Sequence, residues 1–204
     1  MRLQEMLAKR YTAQDVTVVN EGKGGECPIG CPINGVDRLP DVLSGRMPQW
    51  LLLQEGVNNI NLDLPSSITN VINGLKMLIR QAKAQGVPVM VGTLLPERPI
   101  SEGGCRGRGP ELIAPANDQI RALVQSEGEV LIDLYEAFGG VPGTLIGVDG
   151  LHPTDEGYAK MAETFYNEIM KRLEVASQTV KPQSPRPQTA RPSLSSSRPD
   201  PVRR

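Results

Sequence analysis

The sequence predicts an α/β domain in three layers, a parallel sheet covered by helices on both faces. Two observations predict it. Helical and strand patterns alternate through residues 1–176, as they do in chains that build a parallel sheet through helical crossovers. The strand candidates are also short and nearly all apolar: residues 50–53 read Trp-Leu-Leu-Leu and residues 89–91 read Val-Met-Val. Such runs belong to strands buried on both sides, whereas a half-exposed strand alternates apolar with polar.

Taken in order, residues 2–11 predict a short amphipathic helix with Leu3, Met6 and Leu7 on one face. Residues 16–20 are a β-branched strand ended by the glycine-rich stretch 21–25. Residues 38–43 are a short helix and 49–54 a buried strand. Ser66 or Ser67 caps a long helix that repeats apolar residues at helical spacing (Val71, Leu75, Leu78, Ile79, Ala82) and stops at Gly86 and Pro88. Residues 87–93 form the next strand, 111–126 a helix, and 130–134 a further strand. Thr154 caps the last helix, with Asp155 and Glu156 complementing its N-terminal dipole. No internal repeat is visible.

Residues 177–204 contain six prolines, and only Val180, Leu194 and Val202 as larger apolar groups. A segment so composed buries too little surface to offset the entropy of ordering, so a disordered tail is expected there. It reads as a solvated tail, with a proline-rich ligand or an anionic-surface tether as the functional alternative. The tail holds six basic residues against Asp200 alone, so the body is net acidic although the whole chain is −1. An acidic body with 3% aromatic residues argues against nucleic acid as a partner. No apolar run approaches the ~20 residues needed to cross a bilayer, and the N-terminus lacks the charged-then-apolar order of a signal peptide.

Chemistry is expected in the loops at the carboxyl ends of the strands. Asn20-Glu-Gly22-Lys-Gly24-Gly25 matches no phosphate-binding fingerprint and by itself reads as a tight turn. Gly56-Val-Asn58-Asn59 follows a strand. The Asn58 amide there is either a donor to a developing oxyanion or an Asx-turn residue. Asp149-Gly-Leu-His152-Pro153 holds the only histidine of the chain, three residues after a carboxylate that can reach back to its Nδ1. Cys27 and Cys31 form a local disulfide or remain two free thiols. With one further cysteine, Cys105, and one histidine, a closed zinc site is not expected. Residues 97–109 read as a long flexible loop over the site, a candidate substrate lid.

Together these three segments, in this order, resemble the SGNH (GDSL) hydrolase superfamily. Asn20-x-Gly22-x-x-Gly25 with Arg38-Leu39-Pro40 is similar to the family's second block, Gly56-Val-Asn58-Asn59 to its third, and Asp149-Gly-Leu-His152-Pro153 to its fifth. Asn59 stands where the family usually has an aspartate, a position that supports the loop. The resemblance implies His152 as general base, Asp149 as its orienting carboxylate, and Gly25 N–H with Asn58 as the oxyanion hole. It implies no metal and no organic cofactor. Its substrate would be a small-molecule, lipid or carbohydrate ester, and it leans toward an exported protein.

The family's first block, a strand ending in Gly-Asp-Ser that carries the nucleophile, has no counterpart in residues 1–176. Met1 opens directly on an amphipathic pattern, so a truncated or mis-started chain is expected in preference to an evolved pseudoenzyme. The family's flavodoxin-like strand order is 2-1-3-4-5, and the missing block supplies strand 1. Segments 16–20 and 49–54 are then left without the neighbour between them, and the chain alone is expected to be inactive. The other functional class open to the sequence is a non-catalytic α/β binding module that keeps the pocket.

Overall fold

The computed structural model describes residues 2–104 and 108–178. Its sheet has three strands, β1 (Leu51–Leu53), β2 (Val89–Gly92) and β3 (Val130–Ile132), in that order and all parallel. Leu52 pairs with Met90, and Met90 with Val130. The period of two then sorts every strand side chain to one of two cores. Leu51, Leu53, Val89, Val91 and Leu131 enter the first, with helices α2 (Gly35–Arg46), α4 (Ser67–Ala84) and α5 (Gly109–Glu127). Leu52, Met90, Val130 and Ile132 enter the second, with α1 (Arg2–Arg10), the short α6 (Leu134–Ala137) and α7 (Asp155–Gln178). Three layers result, as the apolar patterning predicts.

The helices begin and end within a few residues of their sequence positions, with one difference of mechanism. Ser66 precedes α4 but makes no side-chain cap. Ser67 instead uses its hydroxyl to bridge Leu64 N–H and Asn59 C=O at the end of α3 (Val57–Asn61). The cap expected of Thr154 does form: its Oγ1 accepts from Gly157 N–H at 3.2 Å. Cys27 and Cys31 are joined as a disulfide, which decides between the two states the sequence left open. The tail beyond residue 178, the thiol of Cys105 and part of the 97–109 loop lie outside the described residues. Among the described residues no helix is long and apolar enough to cross a membrane.

The strand expected at residues 16–20 is not a strand. That segment pairs with no other strand. The Gln4 side chain from α1 stands in for a neighbour on one of its edges: Gln4 Nε2 donates to Val16 C=O at 2.6 Å, and Val18 N–H donates to Gln4 Oε1 at 2.5 Å. A cavity of about 1050 Å³ lies between this segment and β1. Valine alternation gives a segment a preference for the extended state, but the ladder itself needs a partner within ~5 Å, and none is there.

Candidate active site

His152 is fixed by its own loop before anything else touches it. Asp149 Oδ1 accepts the backbone N–H groups of Leu151 and His152 at 3.1 and 3.0 Å, an Asx turn that aims the carboxylate back along the chain. Its other oxygen, Oδ2, lies 2.6 Å from His152 Nδ1. The His152 C=O accepts from Gly147 N–H at 2.7 Å, closing the turn from the other side. The His152 hydrogen bond, together with these backbone N–H groups, holds Asp149 down at about 2. Above that pH the carboxylate is ionised and accepts from Nδ1–H, which leaves Nε2 as the ring's basic nitrogen. The ring is 69% exposed, so Nε2 is accessible.

The second cluster begins at the end of β1. Gly56 adopts φ 122°, and a Cβ there would sit 2.8 Å from a Val71 methyl, so only glycine turns the chain into α3 at this point. Asn58, half-buried on α3, donates Nδ2–H to Glu26 C=O at 2.7 Å. Its neighbour Asn59 is buried and donates to Ile29 C=O at 2.8 Å. The two asparagines thus hold the loop that carries Gly25 and the Cys27–Cys31 disulfide. Gly25 turns at φ 77° and is exposed, and among the described residues nothing accepts its N–H.

The two clusters are linked through the exit of β2. Asn61, at the end of α3, donates to Glu97 Oε1 at 2.8 Å. The next residue, Arg98, donates its N–H to Gly150 C=O at 2.8 Å and its guanidinium to Gly143 and Ile146 carbonyls. The four residues expected from the sequence lie in loops or a short helix: Asn58 bonds the residue after Gly25, Asp149 bonds His152, and the bonds of Asn61 and Arg98 tie the α3 segment to the loop of Gly150.

Sequence reasoning misses the acidic pair beside them. Glu26 is buried and forks onto Arg38, with Nε–Oε2 at 2.7 Å and Nη2–Oε1 at 3.1 Å. Glu55 abuts Glu26, and burial first, then the Glu26 carboxylate, push its carboxyl up to about 8. Their only sequence signal is that each borders a glycine of a loop already singled out. Among the described residues no cluster of three or more His, Cys, Asp or Glu is placed to hold a metal ion.

Residues 1–160 match the model of the GDSL-like Lipase/Acylhydrolase family. The chain belongs to that family. Solved structures share the fold. A lipase/acylhydrolase from Enterococcus faecalis is 20% identical, with a TM-score of 0.67 over 83% of this chain and 85% of that one. Est24, a carbohydrate acetylesterase from Sinorhizobium meliloti, is 16% identical with a TM-score of 0.68, covering 84% and 83%. The aryl esterase of M. smegmatis is 21% identical with a TM-score of 0.68, covering 83% and 85%. No curated protein sequence matches the chain significantly. Family membership makes the chain a hydrolase by resemblance.

Proposed function

We propose that this chain carries the base and the oxyanion hole of a serine ester hydrolase, and that the nucleophilic serine comes from a strand outside the described residues. The observation that carries the reading is the 2.6 Å contact of Asp149 with His152 Nδ1, in a turn that fixes the carboxylate twice more through the backbone. The location of the serines supports the second part. Ser44, Ser67 and Ser126 spend their hydroxyls on Asp41, Asn59 and Leu123 carbonyls, and Ser66 accepts from Asn70. Among the described residues the only side chain bonded to the His152 ring is Asp149.

With the serine in place, His152 Nε2 takes the hydroxyl proton as Oγ attacks the ester carbonyl carbon. The carbonyl oxygen becomes an oxyanion, which accepts from Gly25 N–H and from the second hydrogen of the Asn58 amide, the first being held by Glu26 C=O. As the tetrahedral carbon collapses, the C–O bond to the alcohol breaks and His152 returns the proton to that oxygen. Water then repeats the cycle on the acyl-serine and releases the acid. Asp149 stays ionised and holds the imidazolium that forms twice per turnover. The substrate is an ester of a small molecule, lipid or carbohydrate. We place the catalytic domain within residues 1–176 and assign residues 177–204 to a tail beyond it.

The lack of a serine at His152 is also the one observation that favours a second reading, a binding module with the chemistry lost. One experiment separates them. A protein extended at its N-terminus by a strand ending in Gly-Asp-Ser is assayed with p-nitrophenyl acetate, and its His152→Ala variant beside it. Turnover that the variant loses supports the hydrolase. A folded extended protein without turnover supports the module.

A further inference from the structure

Residues 97 and 98, at the exit of β2, each hold one half of the candidate site. Glu97 is buried and accepts from Asn61 Nδ2 at 2.8 Å. The same amide donates to Val57 C=O at 3.1 Å, so the carboxylate fixes α3, the helix that carries Asn58. Arg98 turns the other way. Its N–H donates to Gly150 C=O at 2.8 Å, and a single guanidinium nitrogen, Nη2, donates to the Gly143 and Ile146 carbonyls at 3.1 and 3.0 Å. One side chain and its own amide thus reach three points of the loop that carries Asp149 and His152.

That loop is shaped from within. Gly147 N–H bonds His152 C=O, Gly150 N–H bonds Gly147 C=O, and Thr154 N–H bonds Leu145 C=O. These bonds define a turn but do not place it on the fold. Ile146 roots the loop in the second core, whereas Val148 just beyond it is 96% exposed, and Asp149 and His152 are exposed as well. Arg98 is itself firmly mounted. Pro96 and Pro99 flank the pair and narrow the backbone around it. The chain then doubles back, with Gly104 N–H bonded to Pro99 C=O at 2.9 Å. A Cβ at Gly104 would stand 1.8 Å from the Arg98 carbonyl oxygen, so only glycine permits that closure.

We propose that Arg98 is a positioning residue, which sets the distance from His152 to Asn58 by clamping the His152 loop to the strand exit that also anchors α3. Its catalytic consequence rests on the hydrolytic reading; the clamp itself rests on the bonds alone. In that reading Nε2 takes the serine proton while Asn58 meets the oxyanion of the same tetrahedral carbon, so the spacing of the two groups enters the rate. A misplacement of about 1 Å costs about 10²-fold in such a site. The Asp149–His152 pair closes within three residues and does not need Arg98. Loss of the clamp therefore leaves the base chemically intact and in the wrong place. The role requires reach and donors, not the guanidinium fork. Because Nη2 alone makes both side-chain bonds, a lysine ammonium with its three donors can replace it. Methionine, with similar bulk and no donor, cannot.

The test begins with the 204-residue chain and needs no turnover. Spin labels on Val148→Cys and Met77→Cys, both exposed positions, are read in a Cys105→Ser background. They measure the distance from the loop tip to α4, to which the Ser67 hydroxyl bonds α3. Arg98→Met should broaden the distance distribution at least twofold, and Arg98→Lys should leave it narrow. The ring resonances of His152, the only histidine, should be the same in both. Arg98→Gln, too short to reach the carbonyls, takes the place of Arg98→Met if that variant does not fold. Kinetics follow in the strand-completed enzyme, the protein extended by the Gly-Asp-Ser strand. There Arg98→Met should lower kcat at least tenfold, with KM within twofold and the pH midpoint of kcat unmoved, and Arg98→Lys should bring kcat back to within twofold of the parent. The clamp is overturned if Arg98→Met is as narrow as its parent, or if Arg98→Lys is as broad as Arg98→Met. Broadening with kcat unchanged overturns the positioning role. A folded parent without turnover overturns the hydrolytic reading and the catalytic role with it, while the distances still decide whether Arg98 holds the loop.

Discussion

Asn58 donates its side-chain amide to the backbone carbonyl of Glu26 at 2.7 Å. The residue before Glu26 is Gly25, so the two groups assigned to the oxyanion hole are held by one hydrogen bond at a fixed spacing. Preorganisation of this kind is what makes such donors effective, since no reorientation accompanies the charge as it develops.

The strand-completed enzyme with Asn58→Ala should therefore lose about 10² or more in kcat with KM nearly unchanged. The same variant of the present chain should lose about 1 kcal/mol of stability from the missing bond to Glu26. Steady-state kinetics and urea unfolding check the two halves. A change confined to KM would remove Asn58 from the oxyanion role and leave it a turn residue.

Asp149→Asn keeps the shape of the loop and inverts the chemistry. An amide Nδ2 facing His152 Nδ1 donates where the carboxylate accepted, so the ring takes the tautomer with its proton on Nε2, where the serine proton has to go. In other serine triads this change costs about 10⁴ in kcat, and a loss of that order is expected here. The pH behaviour of the wild-type loop follows from the depressed Asp149 carboxyl. Its contribution is complete above the ordinary carboxylate value near 3.8 and is lost as pH falls through about 2. Protection of the His152 amide against exchange should persist at pH 4 and be lost only as pH falls through about 2, and an amide already unprotected at pH 5 would contradict the assignment.

Glu55 gives the opposite sign. Its carboxyl, raised from 4.5 to about 8, binds a proton in the folded protein that the unfolded chain has released. Stability should fall as pH rises from 4.5 toward 8, then level off. Glu55→Gln keeps the neutral shape and should flatten that slope, measured by chemical denaturation at pH 5, 6.5 and 8. An unchanged slope in the variant would mean that another group is responsible.

The layers of this fold are legible in the sequence because burial on both faces leaves continuous apolar runs, and Leu51–Leu53 and Val89–Val91 carry that signal by composition alone. The Asp149–His152 pair is legible for a different reason, since three residues and one turn contain the whole interaction. Where a contact is made by residues far apart in the chain, the signal disappears. Nothing in the sequence says that Glu26, Arg38 and Glu55 meet, and only the packing of two loops against α2 brings them together around the buried Glu26. Asn117 reads as a polar position on α5, yet it is fully buried and brackets Leu94 with both amide atoms just past the end of β2. The valines of residues 16–20 show the limit from the other side: the local preference is for a strand, and pairing fails because no neighbour is present.

The loop that carries Gly25 rests on α4 at one glycine. A Cβ on Gly74 would stand 2.3 Å from Pro28 Cβ and 3.0 Å from Ile29 N, inside any tolerable contact and against backbone that cannot swing away. In an exposed helix interior, glycine to alanine gains roughly 1 kcal/mol. At Gly74 that gain is outweighed, because the Cys27–Cys31 loop has to lift off the helix or the helix has to bend, at roughly 1–3 kcal/mol for overpacking. Lifting the loop also draws Ile29 C=O from Asn59 and Glu26 C=O from Asn58. Gly74→Ala should thus lower the melting temperature of the chain, and in the strand-completed enzyme lower kcat more than KM. Gly45→Ala is the control. It sits near the end of α2 with nothing within 4 Å of its Cβ position, and it should raise stability slightly and leave kcat alone. If both variants gained stability alike, the loop would not be seated on α4 at Gly74.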